Sequence, residues 1–182
     1  MKYLLITIAV FVAIASNISC ISTSEVAVND KNTFPTVTGT NLHGDEKTLP
    51  DCLVKDKTIL VVAYQRWQQD LCDAWYGQIE EFMAANEDTA YFEIPTISKM
   101  NGFMRWFIYR GMRGGITDPQ MRRQVITLHI DKAPFNDALG IKSEKTVYVF
   151  VLNKEGKILA QEKGEYDKTK WARLEKVLKE EI

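Results

Sequence analysis

The chain has 182 residues, 46% apolar and 26% charged, with a formal net charge of −1. Those fractions suit one globular domain with a real core. The near-neutral balance gives no overall attraction to nucleic acid or to an anionic membrane, so neither is expected as a partner on that ground.

Residues 1–20 read as an export signal. Met1-Lys2 is a short basic start, and Tyr3 to Ala15 is apolar except for Thr7. That run is shorter than the roughly 20 residues a helix needs to cross a bilayer core. A single Lys and no Arg in the basic start argue against a mitochondrial presequence. The expected location is therefore outside the cytoplasm, in the periplasm or cell envelope.

Two cleavage readings stand side by side. Ala13-Ile14-Ala15 offers small residues at alternate positions, as an ordinary signal peptidase prefers. Asn17-Ile18-Ser19-Cys20 resembles a bacterial lipoprotein box, in which Cys20 would be acylated; Asn17 departs from the aliphatic residue usual there. A lipid on Cys20 is the one membrane attachment expected. Residues 21–33 are polar and would serve as a flexible tether, leaving 34–182 as the domain. With Cys20 lipidated, Cys52 and Cys72 remain as a candidate disulfide pair.

Phe34 to Pro50 reads as a short strand and turns. Thr58–Arg66 is an apolar, β-branched run whose lack of alternation predicts a strand covered on both faces, as in a parallel sheet. Gln69–Asn86 is predicted helical, because Leu71, Trp75, Ile79, Phe82 and Met83 recur at spacings of three and four. Ala90–Ile97 follows as a strand ended by Pro95, which makes a βαβ unit. Ser98–Arg123 is a basic, aromatic, helical stretch in which Gly111, Gly114 and Gly115 are expected to turn the chain. Val125–Ile130 is a strand and Ala133–Leu139 a short helix stopped by Gly140. Thr146–Leu152 and Lys157–Gln161 form a hairpin around Gly156, which supplies the positive φ of a tight turn. Lys168–Ile182 closes the chain as a helix. The fold class is α/β, a mixed sheet flanked by helices, with a helical insert.

Three segments carry a resemblance. Phe34-Pro35-Thr36-Val37-Thr38-Gly39 is similar to the opening strand of redoxin domains. Ile59–Trp67 resembles the strand leading into their active-site turn, with Trp67 placed like the Trp before a redox Cys. Phe150–Gly156 resembles the strand and turn of their terminal hairpin. The chain thus resembles the thioredoxin-like superfamily, on its redoxin and peroxiredoxin side. Gly111-Met112-Arg113, Met121-Arg122-Arg123 and Leu139-Gly140-Ile141 are similar to a redox-inactive branch, the assembly factors of mitochondrial ATP synthase and their bacterial relatives.

Dithiol exchange needs a low-pKa thiolate at a helix N-terminus and a second, resolving thiol. Here the two positions counted from Trp67 hold Gln68 and Leu71, and Glu144–Val147 lacks the proline that the superfamily places opposite the turn. Dithiol chemistry is not expected. The resemblance then implies a non-catalytic binding or assembly module of the envelope, with an envelope protein as partner. Trp67, Gln68, Arg105, Arg110 and Arg113 are the candidate contact residues, since Arg and aromatics dominate binding hot spots. The bland reading of the same stretch is an amphipathic helix that packs Phe103, Met104 and Phe107 inward. The alternative function is a single-cysteine redoxin using Cys72, near the start of a helix whose dipole favours a thiolate, though Asp70 and Asp73 oppose one. A third reading is a ligand-binding lipoprotein. His43 and His129 have no ligand-spaced neighbours, so no metal is expected, and no motif calls for a cofactor.

Overall fold

The computed structural model describes residues 26–27 and 32–180; the expected leader, both expected cleavage sites and Cys20 lie outside them. The strands are β1 (Val37–Asn41), β2 (Glu46–Leu49), β3 (Lys57–Ala63), β4 (Thr89–Ser98), β5 (Ile126–Ile130), β6 (Tyr148–Asn153) and β7 (Ile158–Lys163). They form one mixed sheet in the order β2-β1-β5-β4-β3-β6-β7. The helices are α1 (Gln69–Ala85), α2 (Gly102–Gly115), α3 (Pro119–Gln124), α4 (Lys132–Ala138) and α5 (Lys168–Lys179), with a short 3-10 turn at Arg66–Gln68 leading into α1.

β3 sits in the middle, parallel to β4 and antiparallel to β6. All seven of its residues are buried, which is why its sequence does not alternate. Its side chains divide between two cores. Leu60 and Val62 join Phe34, Phe135 and Phe150 on one face. Ile59, Val61 and Ala63 join Trp75, Ile79, Phe82, Trp171 and Leu174 on the other. α1 and α5 therefore cover one face of the sheet, and α4 contributes to the other. Burying each large apolar side chain of these cores contributes about 1.5–3 kcal/mol. Lys57 points into the α1–α5 side yet is satisfied, because its Nζ donates to the carbonyls of Val177 and Glu180 at 2.9 Å each. It neutralises the negative end of α5.

Three expectations about β4 and the insert need correction. Pro95 does not end β4, which runs on to Ser98. Pairing with β3 stops at Ala63–Pro95, and pairing with β5 takes over at Thr96–Leu128, so the missing N–H falls where β4 changes partners. The glycines of the insert do not break it: α2 runs through Gly111 to Gly115. It is capped by Asn101, whose Oδ1 accepts from the Met104 N–H at 2.9 Å. Finally, Phe103, Met104 and Phe107 do not pack inward; they are 73%, 45% and 63% exposed, and no residue of α2 is buried. The strand residues under α2 are Thr40, Thr127 and His129, and the side of the helix turned to the domain carries the half-buried Ile108, Tyr109 and Met112 instead.

Part of the segment expected as a tether is paired to the domain. Ala27 exchanges both backbone hydrogen bonds with Thr36, at 3.1 and 2.9 Å, and the Ile158 N–H donates to the Asn32 carbonyl at 2.7 Å. At the hairpin, Gly156 has φ +79°, and a Cβ there would lie 2.4 Å from Pro50. Both conformation and space demand glycine.

Candidate functional site

β3, β4 and β5 are parallel, so their C-terminal ends share one edge of the sheet. The turn at Tyr64–Gln68, the start of α2, the start of α4 and the loop before β6 all gather along it. In a dithiol enzyme of this shape, the reactive sulfurs would occupy that turn.

Here the turn is closed by Gln68. Its side chain is 0% exposed, so it is not the contact residue the sequence suggests. Its Oε1 accepts from the backbone N–H groups of Tyr64 at 2.7 Å and Gln65 at 3.1 Å. Its Nε2 donates to the Glu144 carbonyl at 2.9 Å. One amide thus satisfies two donors of the turn and ties it to the loop opposite. Around it runs a second polar chain. The Tyr64 hydroxyl donates to Asn136 Oδ1 at 2.6 Å, and Asn136 Nδ2 donates to Glu144 Oε1 at 3.0 Å. Lys132 pairs with the other oxygen of Glu144 and lies 5.7 Å from the Tyr64 ring centroid. Burial, and then the Glu144 charge, push the Tyr64 phenol far above its ordinary value. The edge is a fixed, hydrogen-bonded surface, and among the described residues it carries no thiol. Trp67, by contrast, is 59% exposed beside it.

Cys72 does not face this edge. It is 1% exposed within the α1–α5 core. Burial, then Glu93 and Asp73, push its thiol far above the usual range, which outweighs the helix dipole. The expected Cys52–Cys72 disulfide is absent, and both thiols are free. Cys52 packs against the core on the opposite face of the sheet from Cys72, so the sheet itself separates them. Burial also raises the Cys52 thiol.

The sequence reading missed Glu93. It lies on β4, 4% exposed, beneath the start of α1. Burial first, with Asp73 adding to it, lifts its carboxyl to about 7 despite a hydrogen bond from Gln69 at 3.4 Å. A signal existed: Tyr91, Glu93 and Pro95 alternate in a buried run, and Glu93 falls on the α1 side with Tyr91. Asn136 and Glu144 carried no such signal, because their roles arise only when α4 meets the β6 loop.

The arginines lie on the insert. Arg105 borders a groove of about 410 Å³ with Trp106, Tyr109 and His129. Burial, and then Arg105, lower the His129 imidazole to about 4. The Arg110 guanidinium stands 5.4 Å from the Trp106 ring centroid, and Arg113 Nη1 donates to the Tyr109 hydroxyl at 3.3 Å.

The order and pairing of strands, with helices on both faces and a helical turn after the central strand, define a thioredoxin-like domain without its dithiol. Solved structures agree on the fold. The thioredoxin domain of a thiol-disulfide oxidoreductase from Bacteroides vulgatus superposes with a TM-score of 0.52 at 15% identity, covering 82% of this chain and 98% of that one. A thiol-disulfide oxidoreductase from Bacteroides fragilis gives 0.53 at 9% identity, covering 80% and 98%. BsSco, of the Sco family of cytochrome c oxidase assembly proteins, gives 0.54 at 10% identity, covering 84% and 95%. A sequence search among curated proteins finds no match. The family profile described as "ATP10 protein" matches residues 21–180. The chain belongs to that family, the ATP synthase assembly-factor branch of the thioredoxin-like superfamily.

Proposed function

We propose that this protein is a non-catalytic assembly module of the cell envelope that holds a protein client at the edge around Trp67. The observation that carries the reading is Gln68. Where a dithiol protein keeps reactive sulfur, this chain buries an amide that closes the turn with two hydrogen bonds and ties it to the Glu144 loop with a third. A locked turn beside an exposed aromatic suits binding better than exchange, since a pre-organised surface loses little entropy on association. The family description supports ATP synthase as the complex served. The apolar run at Tyr3–Ala15 supports export. The single-cysteine alternative needs a thiolate at Cys72, and burial with two neighbouring carboxylates opposes one.

A photo-crosslinking residue at Trp67 in living cells tests the reading, with one at the exposed Lys168 of α5 as control. A discrete envelope adduct, dependent on position 67, is expected. No adduct, or Cys72-dependent consumption of peroxide or disulfide by the purified protein, would overturn it.

A further inference from the structure

We infer that α2 is a bilayer-contact helix, which lays its aromatic face on an anionic lipid surface. The inference does not depend on what the Trp67 edge binds.

α2 differs from an ordinary surface helix in carrying large aromatic side chains on its solvent side. Phe103, Phe107, Gly111 and Gly114 follow at spacings of three and four and so share one face. All four are exposed. Met104 is 45% and Trp106 51% exposed beside them. Arg110, seven residues on from Phe103, shares that face, while Ile108, Tyr109 and Met112 on the opposite side are half-buried; there the Tyr109 hydroxyl donates to the Leu42 carbonyl at 3.0 Å and anchors the helix to the sheet. An apolar face turned to water on an anchored helix is a surface waiting for an apolar phase.

Charge identifies that phase. Residues 101–124 hold Arg105, Arg110, Arg113, Arg122 and Arg123 against Asp118 alone. That is five of the chain's 23 cations and one of its 24 acids, leaving 18 against 23 elsewhere, a net −5. The neutral total therefore hides a segregated cationic patch. Arg122 is used internally, donating to the carbonyls of Ile116 and Arg113 at 2.7 and 3.0 Å, and so ties α3 to the end of α2. Among the described residues, Arg105, Arg110 and Arg113 have no carboxylate partner. Arg110 instead lies against Trp106, an amphipathic ring of the kind that sits at headgroup level. An aromatic strip that carries a Trp and cations of one sign matches a surface that is uniformly anionic outside and apolar beneath. α2 spans about 21 Å, and among the described residues no helix is long and apolar enough to cross a membrane. Contact in the plane of the surface is the mode this geometry allows.

The test uses the full-length protein with Trp67→Phe and vesicles whose acyl chains carry bromine, a short-range quencher. Trp75 and Trp171 are buried, and residues 1–33 contain no Trp, so quenching reports Trp106 even if the leader inserts. Strong quenching is expected on phosphatidylglycerol-containing vesicles, weaker on phosphatidylcholine alone, and none after Trp106→Phe. Arg110→Glu with Arg113→Glu should raise the lipid concentration for half-quenching about tenfold or more. Both side chains are exposed, and circular dichroism verifies that the double variant is folded. Absence of Trp106-specific quenching on anionic vesicles overturns the inference, as does quenching indifferent to charge reversal. A crosslinker at Phe107 that captures a protein, while vesicles leave Trp106 unquenched, overturns it in favour of a protein partner.

Discussion

Replacing Gln68 by Met isolates the hydrogen bonds of the turn, because Met has nearly the same length and volume but neither donor nor acceptor. The native amide makes three bonds, at 2.7, 3.1 and 2.9 Å. The Tyr64 N–H is fully buried and would lose its partner outright, at about 1–3 kcal/mol. The Gln65 N–H and the Glu144 carbonyl are part-buried, so water recovers much of their loss and each adds a smaller amount. Apolar burial is roughly conserved, which removes a cavity penalty. The expected total is about 2–4 kcal/mol, at the high end for a single substitution. Urea unfolding followed by circular dichroism measures it directly, with an unchanged slope showing that only stability moved. A loss under about 0.5 kcal/mol would refute the view that Gln68 replaces the dithiol as the structural tie of this edge, since that is the ordinary scatter for surface positions.

Three further outcomes are expected. Glu93 titrates near 7 in the folded chain against an ordinary 4.5, so between those values the folded state binds the extra proton and stability falls as pH rises. The full penalty, about 3 kcal/mol, is present above pH 7; Glu93→Gln should remove this slope and stabilise the protein at pH 8, and parallel pH profiles for the two proteins would contradict the assignment. Cys72 should resist thiol reagents at pH 8 until the chain unfolds, with Cys52 and Cys72 both recovered as free thiols by mass mapping; rapid native labelling of Cys72, or a bridged peptide, would show the burial to be wrong. Gly156→Ala should cost about 2 kcal/mol or more, because it combines a positive φ with a Cβ set against Pro50; a neutral thermal shift would count against that turn geometry.

Most of the architecture was legible because it rests on local regularities. The unbroken apolar run at Thr58–Arg66 announced a strand covered on both faces, although β3 ends at Ala63. The three-and-four spacing from Leu71 to Met83 announced α1, and Gly156 marked the hairpin. Dithiol absence was equally legible, since Gln68 and Leu71 are simply not cysteine. Three of the readings that failed show why the rest was not. Pro95 reads as a strand end because its place between two partner strands is not written locally. The bland reading of the insert hides Phe103, Met104 and Phe107, because periodicity gives a helix a face but not the direction that face points; the structure turns Ile108, Tyr109 and Met112 inward instead. A Cys52–Cys72 bridge was expected because spacing along the chain says nothing about which side of a sheet each thiol occupies.

The sequence by itself therefore determined which segments are strands and helices, and which chemistry the turn after β3 lacks, since both follow from residue type and period. Only the tertiary structure decided what fills the vacated turn, which thiols are buried, and which way α2 faces. Those depend on contacts between residues far apart in the chain, such as Gln68 with Glu144 and Tyr109 with Leu42, whose energies exist only once the sheet has brought them together.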